Sequence, residues 1–582
     1  MVLDELDRLP TDARGRTTRL LWSATAGSMA IGLVAWLIGL SVESFVPGVI
    51  AMWCFAVAAM TLGWVLPLPY AIVSPLFMGI VGWLVDMLPF VMLVGWFAVV
   101  VRWLFGMLRQ RRLPGTGRWT WLPIALAFWT MLGAAVVLPS DRKHFVLLFG
   151  LQVLISGAIL IVAESFERLE ARRRTASGLL VFVIVCTIAV FLQWIGLPIE
   201  ALQDEKVSAP VERAYGINAF VNSTGMIKYE RAADGGAKEL RRTLERYRKD
   251  NPEVPDFETY RASFKAFGTD LVVRFEGSAR HVEDELQRFD IELIYDNVGL
   301  APGNQIPRMR SFPRNALTYA GVCAAALPFA FFVIWTERGR RRWIGWAALV
   351  GCLFGAAFSL ARGAWAAIAV GVIYLFIDLP VSRWRKLQVV GAVVAAAIVL
   401  TVVFLIRFEA DPLTARAGAE GSVATRQTLY EETVGEVKGI HILLGYGSER
   451  PRDEEGNVPA GLHYVPEAGS HSTYLNYLFR AGVPGTLMLM ALYVVAWLFA
   501  RRSSHLRQLR GPTDRLFSAM AAMAVVTFAA HGVVLSLYVE PVYALTVSIV
   551  LGLAIAGVTG IEGRLLPFEI PKPWKRSTAR PS

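Results

Sequence analysis

The sequence predicts an all-α polytopic membrane protein of about 12–14 transmembrane helices, with a small α/β insertion and a second polar loop. Hydrophobic residues make up 55% of the 582 residues and charged residues only 18%, whereas soluble domains carry about 25% charge. The apolar residues also form unbroken runs of about 20, which excludes the alternating strands of a β-barrel. Both observations indicate helices that cross a bilayer.

About fourteen apolar runs are long enough to span the membrane. They cover residues 20–42, 49–66, 69–85, 88–107, 119–138, 144–163, 176–196, 316–335, 343–360, 364–380, 388–407, 484–500, 515–538 and 542–560. Prolines interrupt the pair at 69–107, where one piece could be re-entrant. Without this pair twelve spans remain. The number of spans is still even, so every later loop stays on the same side of the membrane.

The N-terminus and the cysteines fit this class. Residues 1–19 are polar and the first apolar run is long enough to span, so we expect a signal anchor rather than a cleaved signal. The four cysteines, which lie inside apolar runs, are predicted to be buried thiols rather than disulfides or metal ligands. They are Cys54, Cys186, Cys323 and Cys352.

The arginine clusters predict the orientation. The net charge is +11, and each basic cluster follows an even number of spans. The clusters lie at 109–112, 168–174, 338–342, 383–386 and 501–510. The positive-inside rule therefore places all of them, and both termini, in the cytoplasm. Nucleic acid is not an expected partner, because these clusters lie in short loops between apolar helices.

This orientation divides the chain into five segments. They are N-terminal transmembrane helices 1–196, an insertion domain on the outer side 197–311, central transmembrane helices 312–407, a second outer polar loop 408–482, and C-terminal transmembrane helices with a cytoplasmic tail 483–582. Within the insertion, 235–250 and 278–289 are predicted helices, and 269–275 alternates as a strand does.

The predicted bundle interior is poor in ionisable groups, which disfavours an ion-coupled transporter. We interpret His531 as the one titratable group well inside a span. A histidine hydrogen-bonded within the bundle is favoured over a direct functional role.

The predicted outer face carries the candidate chemistry. Arg362 is the only charge from about 344 to 377, at a turn between two spans, where function is favoured over simple snorkelling to water. Arg426, His471 and the pair Arg308/Arg310 emerge on the same side. Arginine suits bidentate capture of phosphate, and histidine suits proton removal from a hydroxyl near neutral pH. Together they predict a site for a phosphorylated lipid.

These residues carry a resemblance to the O-antigen ligase and O-antigen polymerase superfamily of bacterial membrane glycosyltransferases. The ligase pattern is His, then Asn/Ser/Gln, nine residues, Gly, two residues, and Gly/Thr/Tyr. His471, Ser472, Gly482 and Gly485 match it position for position. Other similar segments are 359–365, 426–430 with Tyr430 where Trp is commoner, 444–447, and 308–315, where either Arg308 or Arg310 is the equivalent.

The resemblance implies a metal-independent, inverting glycosyltransferase with a C-type membrane fold and no cofactor. Its donor would be a glycan on undecaprenyl diphosphate, and its acceptor a glycolipid or glycan hydroxyl. Arg310 or Arg308, Arg362 and Arg426 would hold the diphosphate, and His471 would be the base or positioner of the acceptor. The implied location is the bacterial inner membrane, with the active site on the periplasmic side.

Alternatives remain at this stage. Within the same chemistry, the chain could be an O-antigen or exopolysaccharide polymerase, or a protein O-oligosaccharyltransferase. From another class, it could be a transporter of lipid-linked oligosaccharides, although transport sites lie near the membrane midplane.

Overall fold

The computed structural model describes residues 11–42, 44–85, 87–111, 119, 121–136, 142–194, 202, 257–261, 271–275, 311–312, 316–359, 361–408, 430–431, 433–435, 437–447, 472–506, 511–534 and 541–556. Its helices are α1 Thr11–Ser41, α2 Val46–Val65, α3 Leu68–Ala71, α4 Ser74–Leu84, α5 Leu88–Arg109, α6 Trp121–Val136, α7 Arg142–Ser165, α8 Leu169–Trp194, α9 Ala316–Thr336, α10 Arg340–Phe358, α11 Arg362–Ile377, α12 Arg383–Phe408, α13 His441–Leu444, α14 Thr473–His505, α15 Pro512–Val534 and α16 Pro541–Ala556. The strands are β1 Phe257–Arg261 and β2 Leu271–Phe275.

The helices confirm the predicted fold class of an all-α polytopic membrane protein. Among the described residues, seven helices are long and apolar enough to cross a membrane, and five further apolar helices are shorter. The first member of the predicted pair at 69–107 is divided into α3 and α4 by the turn at Ile72 and Val73. Pro75 lies in the first turn of α4, the helical position that tolerates a missing N–H.

The helices differ in how much of their surface meets other helices. The apolar window of α9 is 94% buried inside the protein, against 22% for that of α1. All sixteen residues of α16 are buried as well. Because a helix that is apolar all round must be covered on every side, α9 and α16 form the centre, and α1 presents its apolar surface to lipid.

Ion pairs collect at one end of the bundle, which we call the basic end and define by Arg172, Arg173, Glu337, Asp378 and Arg501. Arg172 pairs with Asp514 at 2.7 Å, and Arg173 pairs with Glu337. Arg501 holds Asp378 through two hydrogen bonds of 2.6 and 2.7 Å. Basic clusters that are far apart in the sequence therefore lie on one side, as the loop parity predicts.

Arg102 corrects one prediction from the sequence. It lies inside α5, is only 5% exposed, and donates to the carbonyls of Gly63 and Leu66 at 2.8 and 2.7 Å. A cation is stabilised there, because the last carbonyls of α2 lack partners within their own helix. The interpretation of His531 as the one titratable group well inside a span is therefore wrong.

The part of the insertion that the structure describes is a β-hairpin. β1 pairs with β2 in antiparallel fashion, with Phe257 opposite Phe275. β2 lies within the predicted strand 269–275, so that prediction is confirmed. The predicted helices at 235–250 and 278–289 lie outside the described residues.

Candidate functional site

The opposite end of the bundle, the site end, is defined by Ser311, Arg362, Tyr430, Tyr474 and Val533. The helices alternate in direction, so α9, α11 and α14 begin at this end, whereas α8, α10 and α15 finish there. The basic end holds the other termini of the same helices. Arg362, and the described residues that follow the other predicted site residues in the sequence, therefore lie at the end of the bundle that is away from the ion pairs.

The stretch after Arg308 and Arg310 is fixed inside the bundle. Ser311 is 3% exposed, and its hydroxyl donates to the carbonyl of Cys186 on α8 at 2.7 Å. Phe312 packs edge-on against Trp83 of α4, with ring centroids 5.4 Å apart. Arg308 and Arg310 themselves lie outside the described residues, so the choice between them stays open.

Arg362 is the predicted site residue that the structure describes directly. It is exposed and is the first residue of α11, after a turn in which Ser359 and Ala361 are fully buried. Ala361 and Ala364 pack with Ala320 on α9. These small side chains let the start of α11 pack against the first turns of α9. The Arg362 side chain, which lies between Ala361 and Ala364 in the sequence, is exposed.

Two tyrosines attach the polar loop and the start of α14 to the end of α15. The Tyr430 hydroxyl donates to the carbonyl of Val533 at 3.1 Å, and the Tyr474 hydroxyl donates to the carbonyl of Ala529 at 2.8 Å. Arg426 and His471, which precede these tyrosines in the sequence, lie outside the described residues. Whether their side chains share a cavity with Arg362 stays a prediction.

His531 lies in the same turn of α15. It is 1% exposed, and its Nδ1 is 3.3 Å from the hydroxyl of Tyr543 on α16. The first turns of α9 approach the imidazole at Gly321. The expected histidine hydrogen-bonded within the bundle is confirmed, and it lies where α9, α15 and α16 meet.

The start of α14 carries a polar face that sequence reasoning missed. Gln152 on α7 donates to the Tyr477 hydroxyl at 2.9 Å, and both side chains are 2% exposed. Asn476 is also buried, and Arg480 lies one turn further along the helix, about 10 Å from its first residue. A charged side chain at that depth inside an apolar helix indicates function. In the sequence, the only sign of this role for Arg480 is its position shortly after His471.

A break in α14 follows this polar face, just before the predicted apolar run 484–500. Gly482 has φ 65° and ψ −171°, so the helix axis changes direction there. Pro484 has no N–H and cannot donate to the carbonyl of Arg480, four residues earlier. The carbonyls of 479–482 must therefore find other donors, because a buried carbonyl without a partner is costly.

Other backbone and side-chain donors serve these carbonyls, three of them from outside α14. The Tyr446 amide donates to the carbonyl of Phe479 at 2.7 Å, and the Gly447 amide donates to that of Arg480 at 3.0 Å. The indole N–H of Trp129 on α6 donates to the carbonyl of Ala481 at 3.0 Å, and the Thr486 hydroxyl donates to the carbonyl of Gly482 at 2.9 Å. The kink thus holds the 444–447 segment against α14.

Aromatic stacking reinforces the same junction. The rings of His441 and Tyr446 are stacked with centroids 3.9 Å apart, and Tyr446 stacks on Phe479 at 4.7 Å. The His441 Nδ1 is 2.9 Å from the carbonyl of Gly445. These contacts fix the 441–447 segment on α14.

Arg362 can bind an anionic group at a membrane surface, because it is an exposed cation at the start of a helix. Among the residues that the structure describes, no group of three or more His, Cys, Asp or Glu side chains could hold a metal ion. The four cysteines are free thiols, as expected; three are buried and Cys54 is half-buried.

Comparison with known proteins identifies one segment. A family model described as O-antigen ligase matches residues 347–490. No curated protein and no solved structure matched the chain. The match confirms the resemblance seen in the motifs, and it spans Arg362, Arg426 and His471. In this multi-pass helical membrane protein, residues 347–490 are therefore similar to the O-antigen ligase family.

Proposed function

We propose that this protein is an O-antigen ligase-like glycosyltransferase, which moves a glycan from undecaprenyl diphosphate to an acceptor hydroxyl, such as that of a lipid A-core glycolipid. The observation that carries the proposal is the family match over 347–490, a segment that contains the predicted base and two of the predicted diphosphate ligands. The attachment of both neighbouring tyrosines to the end of α15 supports it.

The arginines would meet the charge of the diphosphate. Arg362, Arg426 and one of Arg308 and Arg310 would bind its oxygens, because guanidinium groups pair bidentately with phosphate. Ala361 precedes α11 and has no side-chain oxygen to accept from the first amides of the helix. An anion beside Arg362 would therefore also be favoured by the helix N-terminus.

The reaction would be a single displacement with inversion. His471 would accept the proton of the acceptor hydroxyl while that oxygen attacks the anomeric carbon, and the bond to the diphosphate breaks. The diphosphate leaves readily once its developing charge is met by fixed cations, so neither a metal ion nor a general acid is required.

The orientation follows from the charge at the basic end. Its arginines would remain in the cytoplasm, which places the site end at the periplasmic face of the bacterial inner membrane. The donor glycan is carried by a membrane lipid and would enter at the level of the headgroups. A transporter is disfavoured, because the candidate residues adjoin helix ends rather than the midplane.

A histidine variant tests the proposal. We expect His471→Ala to lower glycan transfer by about 10²–10⁴-fold in purified protein supplied with lipid-linked donor and acceptor, since that is the usual contribution of a positioned base. His505→Ala is the matched control, because His505 is exposed at the last turn of α14, towards the basic end. Transfer by His471→Ala at the wild-type rate would contradict the assigned role.

A gene deletion separates ligase from polymerase. Loss of all long chains from the acceptor, together with accumulation of lipid-linked polymer, would identify a ligase. A single repeat unit remaining on the acceptor would identify a polymerase, and loss of glycan from a protein would identify an O-oligosaccharyltransferase.

A further inference from the structure

Two tyrosine hydroxyls converge on the last turns of α15. Tyr430 bonds to the carbonyl of Val533 at 3.1 Å and Tyr474 to that of Ala529 at 2.8 Å. Ala529 and Val533 are four residues apart, so their carbonyls lie on one face of the helix about 6 Å apart. The two hydroxyls are therefore within about 12 Å of each other, although 44 residues separate the tyrosines in the chain.

Each tyrosine is close in sequence to one residue of the proposed chemistry. Tyr430 is four residues after Arg426, and Tyr474 is three residues after His471, in the first turn of α14. The two bonds thus set where each of these short stretches meets the same helix end.

The end of α15 is a firm support for both stretches. His531 lies between the two acceptor residues and is packed against Tyr543 and Gly321. Phe528, one residue before Ala529, is fully buried and packs edge-on against Tyr493 of α14 at 5.3 Å. The carbonyls that accept the two hydroxyls therefore belong to a turn that neighbouring helices hold in place.

We infer that Tyr430 and Tyr474 are positioning residues, whose hydroxyls fasten to one helix end the two stretches from which Arg426 and His471 would act on one lipid-linked donor. The inference rests on the proposed function. The aromatic rings alone could pack against α15, but only the hydroxyl can donate a hydrogen bond to one particular backbone carbonyl and so fix the position of the ring along the helix. A displacement of about 1 Å in a reacting group can lower a rate by about 100-fold, so two bonds of ordinary strength can matter greatly to turnover.

Kinetics of hydroxyl-deleted variants test the inference. We expect Tyr474→Phe to lower kcat about 10- to 100-fold with the donor KM little changed, because it would misplace the proposed base. We expect Tyr430→Phe to raise the donor KM about 10-fold, because it would misplace an arginine that binds the diphosphate. Tyr430→Trp keeps a ring with an N–H donor and should retain most of the affinity for the donor.

Tyr374→Phe is the matched control. The Tyr374 hydroxyl donates to Asp378 at 2.9 Å and accepts from Trp497 at 2.8 Å, next to the basic end. Its loss removes comparable bonds from the same bundle, yet we expect kcat and KM per folded molecule to stay at wild-type values. Wild-type kcat and KM in both Tyr430→Phe and Tyr474→Phe would overturn the inference.

Hydrogen exchange provides a readout that does not depend on activity. In the detergent-solubilised full-length protein, peptides covering 426–435 and 468–478 should exchange about 10-fold faster in the matching Tyr→Phe variant and be unchanged in Tyr374→Phe. Unchanged exchange in both site variants would overturn the attachment itself. If the wild-type protein transferred no glycan but exchange responded as expected, the proposed function would fail while the attachment would stand.

Discussion

At the scale of single residues, the best-defined electrostatic contact is the pair of Asp378 and Arg501. The carboxylate accepts two bonds from the guanidinium and one from Tyr374. The Arg501 guanidinium lowers the pKa of the Asp378 carboxyl below its ordinary value. Because the folded-state pKa is the lower one, the contribution to stability is complete above about pH 4 and is lost as the pH falls through the folded pKa.

We predict that Asp378→Asn destabilises the protein by about 1–2 kcal/mol at neutral pH, since charge-assisted bonds are lost from a pair that is partly exposed. The apparent melting temperature in detergent measures this, and the difference from wild type should shrink towards pH 3. The matched control is Glu170→Gln, which removes an exposed pair with Arg174 one turn away and should cost at most about 0.5 kcal/mol. Equal shifts for both variants would contradict the prediction.

A second residue-scale contact is the buried bond between Gln152 and Tyr477, which joins α7 to α14 below the site end. Both groups are polar and buried, and each satisfies the other. Deleting one partner leaves the other without its bond in an apolar environment. The same logic explains Arg102, whose charge is tolerated in α5 because helix-end carbonyls surround it.

At the scale of elements, the junction between the 437–447 segment and α14 determines how the polar loop reaches the bundle. The amides of Tyr446 and Gly447 bond to carbonyls that the kink at Gly482 sets free. Gly445 has φ 69°, and a Cβ there would overlap the backbone of Arg480. The contact requires glycine for two reasons, the left-handed backbone and the close approach.

We therefore predict that Gly445→Ala lowers the free energy of unfolding by several kcal/mol, whereas Gly439→Ala costs about 1 kcal/mol. Gly439 also has positive φ, at 56°, but a Cβ would meet nothing within 4 Å. Both positions have positive φ and only Gly445 has the overlap, so a larger drop in apparent melting temperature for Gly445→Ala than for Gly439→Ala is the expected sign of the junction. Similar melting temperatures would show that the 437–447 segment is not held as described.

At the scale of the whole molecule, the charges divide the bundle into two unlike ends. The ion pairs of Arg172, Arg173 and Arg501 join helices that are far apart in the sequence. At the opposite end, the hydrogen bonds of Tyr430 and Tyr474 join the polar loop and the start of α14 to the end of α15. A helix that starts at one end must finish at the other, so the orientation of one loop determines that of every other loop.

We predict that a membrane-impermeant maleimide added to cells with a permeable outer membrane labels Lys438→Cys and not Arg338→Cys. Both positions are exposed, the first near the site end and the second at the basic end. The background should lack Cys54, because the other native thiols are buried. Labelling of Arg338→Cys in intact cells would reverse the proposed orientation and place the site end in the cytoplasm.

Much of the architecture can be predicted from the sequence, because a bilayer leaves few options for an apolar run of about 20 residues. The helices, the break at Gly482, the strand at 271–275 and the clustering of arginines on one side all follow from local composition. The site was partly predictable. Arg362 lies where two spans meet, as expected, whereas Arg308, Arg310, Arg426 and His471 lie outside the described residues and stay predictions.

By itself, the sequence determined the class of protein, the similarity of the 347–490 segment to the O-antigen ligase family and the types of residue available for chemistry. Only the tertiary structure decided that Tyr430 and Tyr474 meet on α15, that Trp129 serves a carbonyl of the α14 kink, and that Arg102 closes the end of α2. The physical reason is that hydropathy depends on neighbours within one or two turns. A hydrogen bond between helices depends on which faces pack together, and in Trp129 and Ala481 that choice joins residues 352 positions apart.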